Sequence, residues 1–309
     1  MSQDQCHQDM LQLLIEKAAP FQYQALPNPA VGAMIVKEAK ILAVGIHKKA
    51  GSSHAEIEAI NQVSAKQAKG ASLYITLEPC SHHGKTPPCV DAIIKAGFKQ
   101  VIYALKDPNP LLKARDSKTL LKEAGIEVID GLLEEEARLL HAPYLVYQCL
   151  KRPFMCAKIA MSLDGKIASA SGESLYLTGP EIRRVVHQKR EDFGAVLVGI
   201  GTILADNPQL TVRHHKAAEQ PTLIVLDSQG RLPKDASCLK ANRSVICFIS
   251  DDRVLKNKLD GVTYIPVAKV NGHLSWPEIF KGLMTQGIFS VFVEGGQAVF
   301  SSLNEQKYV

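Results

Sequence analysis

The chain has 309 residues, 46% hydrophobic and 22% charged, the make-up of an ordinary globular protein long enough for two domains. Its net charge of +5 falls wholly in residues 151–309, an excess that suits phosphorylated small molecules and is too diffuse for a nucleic-acid partner. No run of ~18 apolar residues suggests a membrane span, the start lacks a basic signal-peptide opening, and an odd 7 cysteines fit a reducing cytoplasm better than a disulfide framework.

In chain order, the first half predicts a helix over 5–19, strands at 30–37 and 41–46, a helix over 54–65 and a strand at 71–77. A helix over 88–96 follows, with prolines at its start and Gly97 at its end, then a strand at 100–105. A helix near 117–124, a strand at 126–129 and a helix over 133–147 complete this half. The second half opens with a strand over Phe154–Ser162. It continues with a helix at 179–191, strands at 194–199, 221–227 and 244–249, a helix at 275–286 and a strand at 289–294. Both halves read as α/β. The junction at Lys151-Arg152-Pro153 marks the boundary, giving domains 1–148 and 149–309.

Chemistry concentrates in His54-Ala-Glu56 and in Pro79-Cys80 followed, eight residues on, by Cys89. One imidazole and two thiolates leave a tetrahedral zinc one open position, the mark of a catalytic site. Such an ion brings the pKa of its water to about 7. Glu56 stands two positions from the histidine, where a carboxylate serves as proton shuttle; zinc nucleobase deaminases combine the same residue types. His-x-Glu alone is common by chance, and two cysteines can simply fill a core. The context favours the metal: His54 opens one predicted helix, Cys89 opens another, and Cys80 ends a strand, places where thiolates are electrostatically favoured.

With these residues in view, the chain resembles the bifunctional riboflavin-biosynthesis deaminase-reductases. The likeness rests on Pro27-Asn-Pro-Ala-Val-Gly32, Ala50-Gly-Ser-Ser-His54-Ala-Glu56 and Thr76-Leu-Glu-Pro-Cys80-Ser-His-His-Gly-Lys-Thr-Pro-Pro-Cys89. Cytidine and tRNA-adenosine deaminases usually have two residues between the cysteines, whereas the riboflavin enzymes carry the longer insert. The resemblance implies a cytidine-deaminase-like α/β sandwich followed by a dihydrofolate-reductase-like α/β domain. It implies zinc-dependent hydrolytic deamination of a phosphoribosylated diaminopyrimidine, then NADPH-dependent reduction of the ribosyl chain to ribityl. The cofactors it implies are Zn2+ on His54, Cys80 and Cys89 and NADPH; the expected partners are the phosphorylated pyrimidine and further copies of the chain, with neither nucleic acid nor membrane. Asn28 and Lys85 are candidates for substrate binding, although turn chemistry explains Asn28 and solvation explains Lys85 almost as well. His82 and His83 line the pocket on this reading without being ligands.

In the second half the likeness rests on Lys158-x-Ala-x-Ser-Leu-Asp-Gly165, Gly172-Glu-Ser174, Val198-Gly-Ile-Gly-Thr202 through Asp206, Leu210-Thr-Val-Arg213, Leu226-Asp-Ser228 and Val293-Glu-Gly-Gly296. It implies NADPH contacts at Ala160, Tyr176, Thr202, Asp206 and Ser228, and substrate contacts at Ser174, Arg190, Leu210, Arg213 and Glu294. Gly295 and Gly296 follow a strand and open a helix, so bare amides can receive a pyrophosphate. Arg190 and Arg213 suit a fork for the phosphate, though Arg190 fits a solvated helix face equally. Lys158 and Asp206 are candidates for polarising and protonating the sugar oxygen.

Two departures stand out. Where the family carries a glycine-containing loop, this chain reads Leu111-Leu-Lys-Ala-Arg115, which puts substrate affinity in question. The chain also reaches Val309 before the residues that, by resemblance, complete the reductase sheet, which predicts an open edge strand. A deaminase with a vestigial reductase half, a nucleic-acid deaminase and a non-catalytic zinc-stabilised interaction protein remain as alternatives at this point.

Overall fold

The computed structural model describes residues 3–82, 87–110, 116–167, 177–217, 219–253 and 258–309. The chain divides into two compact units, Met1–Lys151 and Arg152–Val309. Among the described residues no helix is long and apolar enough to cross a membrane.

The first unit begins with α1 (Gln3–Ala18), whose Leu11, Leu14, Ile15 and Ala18 recur at helical spacing and are buried. A hairpin of β1 (Gly32–Lys37) and β2 (Lys40–Ile46) turns at Glu38 and Ala39, both at positive φ. Then come α2 (Ala55–Ile60), α3 (Ala65–Ala68), β3 (Ser72–Leu77), α4 (Cys89–Ala96), β4 (Gln100–Leu105), α5 (Ser117–Glu123), β5 (Glu127–Asp130) and α6 (Glu134–Leu150). The five-stranded sheet runs β2-β1-β3-β4-β5, with β1 antiparallel to both neighbours and β3, β4 and β5 parallel. Alternation along each strand feeds two cores. Ile35, Leu73, Ile75 and Val101 pack toward α2 and α4, while Met34, Tyr74 and Ile102 pack toward α1 and α6.

The helix expected over 54–65 breaks in two. Ser64 accepts the backbone N–H of Gln67 and receives the Gln67 side chain at its own N–H, a reciprocal cap that starts α3 afresh.

The second unit holds β6 (Phe154–Ala157), α7 (Pro180–Phe193), β7 (Ala195–Gly199), α8 (Ile200–Asp206), β8 (Thr222–Leu226), β9 (Val245–Ser250) and β10 (Val262–Val267). A two-stranded ribbon of β11 (Lys269–Val270) and β12 (His273–Leu274) leads to α9 (Trp276–Thr285), β13 (Ser290–Gly295) and α10 (Gln297–Glu305). Six strands, all parallel, take the order β10-β9-β8-β7-β13-β6. Being covered on both faces, they are apolar almost throughout. Leu197, Ile224, Phe248 and Val293 meet α9 and α10 on one side, and Val198, Val225 and Cys247 meet Ile203 of α8 on the other. The strand expected over 154–162 ends at Ala157, because its partner β13 turns away: the last rung is the Lys158 N–H to the Val293 carbonyl, at 2.9 Å.

Candidate active sites

His54 is the N-cap of α2, Cys89 is the first residue of α4, and Cys80 lies three residues past the end of β3. The sheet thus delivers three residues, distant in sequence, to one edge. His54 Nδ1 lies 3.1 Å from Cys89 Sγ and 3.6 Å from Cys80 Sγ, and the three donor atoms fall within 4.8 Å of one another. A tetrahedron with zinc–nitrogen bonds near 2.0 Å and zinc–sulfur bonds near 2.3 Å has edges of about 3.5–3.8 Å. The donor set therefore fits zinc in both chemistry and spacing.

Of the three, local electrostatics favour the ligand form at Cys80. The Cys80 thiol is brought down to about 4, first by its hydrogen bond from Cys89, with His54 and the Cys89 backbone N–H (3.3 Å) assisting against burial. The same bond pushes the Cys89 thiol up, so Cys80 ionises first. His54 is raised by its hydrogen bond with Cys80. Glu56, only 4% exposed on the first turn of α2, is pushed up to about 7 by burial, with the Cys80 sulfur adding to the rise. A carboxyl poised there takes and returns protons near neutrality.

Close packing sets α2 on the sheet. A Cβ on Gly45 would come 2.1 Å from the Ala55 carbonyl and 2.7 Å from the Ala59 nitrogen, so only glycine lets the helix lie this near β2. Glu58 accepts the Ile46 N–H at 3.0 Å and pins the same contact.

Asn28 stands beside this centre by way of a residue the sequence reading overlooked. Buried His47 meets the Ser53 carbonyl through Nδ1 at 2.9 Å. A carbonyl only accepts, so Nδ1 carries the proton and Nε2 receives the Asn28 amide at 3.3 Å. Burial holds His47 below its ordinary pKa, keeping it neutral for this role. The signal was a histidine leaving an apolar strand two residues after the close-packing Gly45. Glu78 was quoted only as part of a motif, yet it braces the site. Its buried carboxylate accepts the Asp107 N–H at 3.2 Å and the Ser117 hydroxyl at 2.5 Å. Asp107 in turn accepts the Tyr144 hydroxyl at 2.9 Å.

In the second unit, a cleft of about 1410 Å³ opens where β6, β7 and β13 end, the position at which parallel sheets bind ligands. Of the residues expected to contact NADPH, Ala160, Thr202, Asp206 and Gly296 line it. Gly295 joins Gly296 through a cis peptide, and a Cβ on Gly296 would come 3.1 Å from Thr202 Oγ1. Ser228 is not among the lining residues; it follows β8 at the same end of the sheet. Lys158, Arg190, Leu210, Arg213 and Glu294 also line the cleft.

Arg190 differs from expectation. It is neither a solvated helix residue nor a free fork. Its Nε and Nη2 bind the Glu294 carboxylate at 2.5 and 3.0 Å, and its Nη1 binds the Thr211 carbonyl at 2.8 Å. The guanidinium is thus spent within the wall, leaving exposed Arg213 as a second arginine lining the cleft, together with Lys158 and Arg183. Lys85, His83, Ser174, Tyr176 and the 111–115 loop lie outside the described residues.

Comparison with known proteins agrees with this division of labour. Residues 4–105 match the family model described as the cytidine and deoxycytidylate deaminase zinc-binding region, and residues 153–309 match the RibD C-terminal domain. The riboflavin biosynthesis protein RibD of Aquifex aeolicus is 42% identical over 285 residues, covering 91% of this chain and 78% of the relative. Its Escherichia coli counterpart is 38% identical over 290 residues, covering 90% and 78%. The crystal structure of a diaminohydroxyphosphoribosylaminopyrimidine deaminase/5-amino-6-(5-phosphoribosylamino)uracil reductase from Thermotoga maritima superposes with a TM-score of 0.84 at 38% identity, covering 99% of this chain and 85% of that one. Acinetobacter baumannii RibD gives 0.82 at 37% identity, covering 100% and 85%. A zinc-ligand triad on the first sheet, a cleft on the second and likeness along nearly the whole length lead to one conclusion: the chain belongs to the RibD family, the bifunctional deaminase-reductases of riboflavin biosynthesis.

Proposed function

We propose that residues 1–148 deaminate a phosphoribosylated diaminopyrimidine and residues 149–309 reduce the ribosyl chain of the product with NADPH. The convergence of His54, Cys80 and Cys89 beside buried Glu56 is the observation that carries the reading. When bound by His54, Cys80 and Cys89, zinc would supply a water of lowered pKa. Glu56 would carry both protons of the attacking water in turn, the first to the ring nitrogen and the second, from the added hydroxyl, to the amine, which leaves as ammonia. Asn28, fixed by His47, orients the substrate ring or ribose.

In the second unit NADPH supplies the hydride when bound. Gly295, Gly296, Thr202 and Ala160 receive the cofactor, with Ser228 approaching from the next strand. Leu210, Arg213 and Glu294 hold the substrate, and Arg190 aligns Glu294. Lys158 and Asp206 polarise the opened sugar's carbonyl oxygen and deliver its proton, so that aldehyde, hydride and proton become an alcohol. All seven cysteines are unpaired, which supports a reducing, cytoplasmic setting, and a homo-oligomer is part of the proposal.

The test supplies the phosphorylated diaminopyrimidine with and without NADPH, following ammonia release and NADPH absorbance separately. Ammonia release in both samples, with NADPH oxidation only where it is added, is the expected result. Ammonia without oxidation selects a deaminase alone; the absence of both signals overturns the proposal.

A further inference from the structure

The segment 207–213 crosses the cleft without forming a strand, so it has no ladder partners to satisfy its backbone. Side chains take over, residue by residue. Arg243 binds the Gln209 carbonyl at 2.9 Å and the Leu210 carbonyl at 2.6 Å. Arg190 binds the Thr211 carbonyl. Gln220 clasps Val212 from both sides, accepting its N–H at 2.8 Å and donating to its carbonyl at 3.1 Å. His187 Nδ1 accepts the Arg213 N–H at 3.0 Å, and the His187 ring meets His214 edge-on with centroids 4.4 Å apart. Leu210 is thereby kept at φ +53 with its side chain buried, while the Arg213 guanidinium braces on Thr211 Oγ1 at 3.1 Å.

Holding an irregular strap with this many side chains is costly in ordered rotamers unless the strap's shape matters. Gln209, Leu210 and Arg213 from this strap line the cleft, as does His214 next to it. We propose that His187, Gln220 and Arg243 are positioning residues that hold 209–213 as a prebuilt wall for the phosphate-bearing end of the reductase substrate. Gln220 and Arg243 act through the strap's backbone, while His187 also lines the cleft beside it; none takes part in hydride transfer. This inference rests on the reductase reading above.

His187→Ala and Gln220→Met each remove one clasp, and His187→Gln restores an acceptor. In the full-length protein, supplied with the deaminated, phosphorylated aminopyrimidine, the first two variants raise the substrate KM about five- to tenfold, the scale of one net hydrogen bond. The NADPH KM stays near that of the unaltered chain, and His187→Gln recovers most of the loss. In the double variant the KM rises by less than the product of the two, because both clasps serve one strap. Ammonia release in the same preparations checks the first unit, and the unchanged NADPH KM checks the folding of the second. A substrate KM unmoved by both substitutions refutes the inference, as does a parallel loss of substrate and NADPH binding, which marks general loosening. If the unaltered chain oxidises no NADPH, the reductase reading falls and this inference with it; oxidation with unmoved KM values sinks this inference alone.

Discussion

At the scale of single residues, the deaminase site depends on Glu56 being both buried and only two residues from the ligand His54. Glu56→Gln keeps the shape and removes the proton carrier. Ammonia release should fall by two to four orders of magnitude, while metal analysis still finds zinc on His54, Cys80 and Cys89. Loss of zinc along with activity would instead make Glu56 a structural support. His141 makes a second case. On α6 and 1% exposed, it is held down to about 4 by burial, only partly offset by the Thr76 backbone. The unfolded chain, with an ordinary histidine pKa near 6.5, binds this proton between pH 6.5 and 4 while the folded chain does not. Stability from this residue is therefore present above pH 6.5 and lost as pH falls toward 4, a change of a few kcal/mol at most. His141→Leu should flatten that slope in denaturant titrations across the window.

Elements carry these residues, and their placement explains what could be read in advance. The ligand triad was legible because each residue sits at a helix start or strand exit that local patterns announce: the Pro87-Pro88 opening of α4, or the apolar run of β3. Reading failed where tertiary pairing decided. Ile159, Met161 and Leu163 continue an alternating pattern beyond β6, yet all three are exposed, because β13 offers no rung past Val293. The strand β10 was missed since Pro266 argues against a strand; at the sheet's edge a proline is tolerated. The helix α8 is too short, at 7 residues, to show a period. The role of Arg190 was illegible for another reason: its partner Glu294 is 104 residues away. Gly45 supplies the prediction at this scale. Gly45→Ala forces α2 away from β2, an overpacking worth about 1–3 kcal/mol, and shifts His54 and Glu56 together. A lower melting temperature and reduced zinc content should follow, with NADPH oxidation retained; unchanged zinc content would refute the coupling.

For the molecule as a whole, the two chemistries draw on separate residues. The zinc ligands and Glu56 belong to Met1–Lys151, and every cleft-lining residue belongs to Arg152–Val309. Stripping metal with a chelator should therefore abolish ammonia release and leave NADPH oxidation intact when the deaminated substrate is supplied. Loss of both activities would mean that zinc sustains more than its own unit. The uneven charge fits the same division, since the unit that holds the Arg213 wall carries the chain's whole positive excess.

The sheet order β7-β13-β6 imposes a timetable on folding. Residues 154–157 and 195–199 are synthesised long before 290–295, yet neither pairs with the other; each waits for the late strand to slide between them. Such distant pairing is slow to find, and until it happens two apolar strands flank an empty lane. The amino-terminal unit faces no such delay, so a nascent chain acquires its first chemistry well before its second, and the interval between them is when it most needs a chaperone.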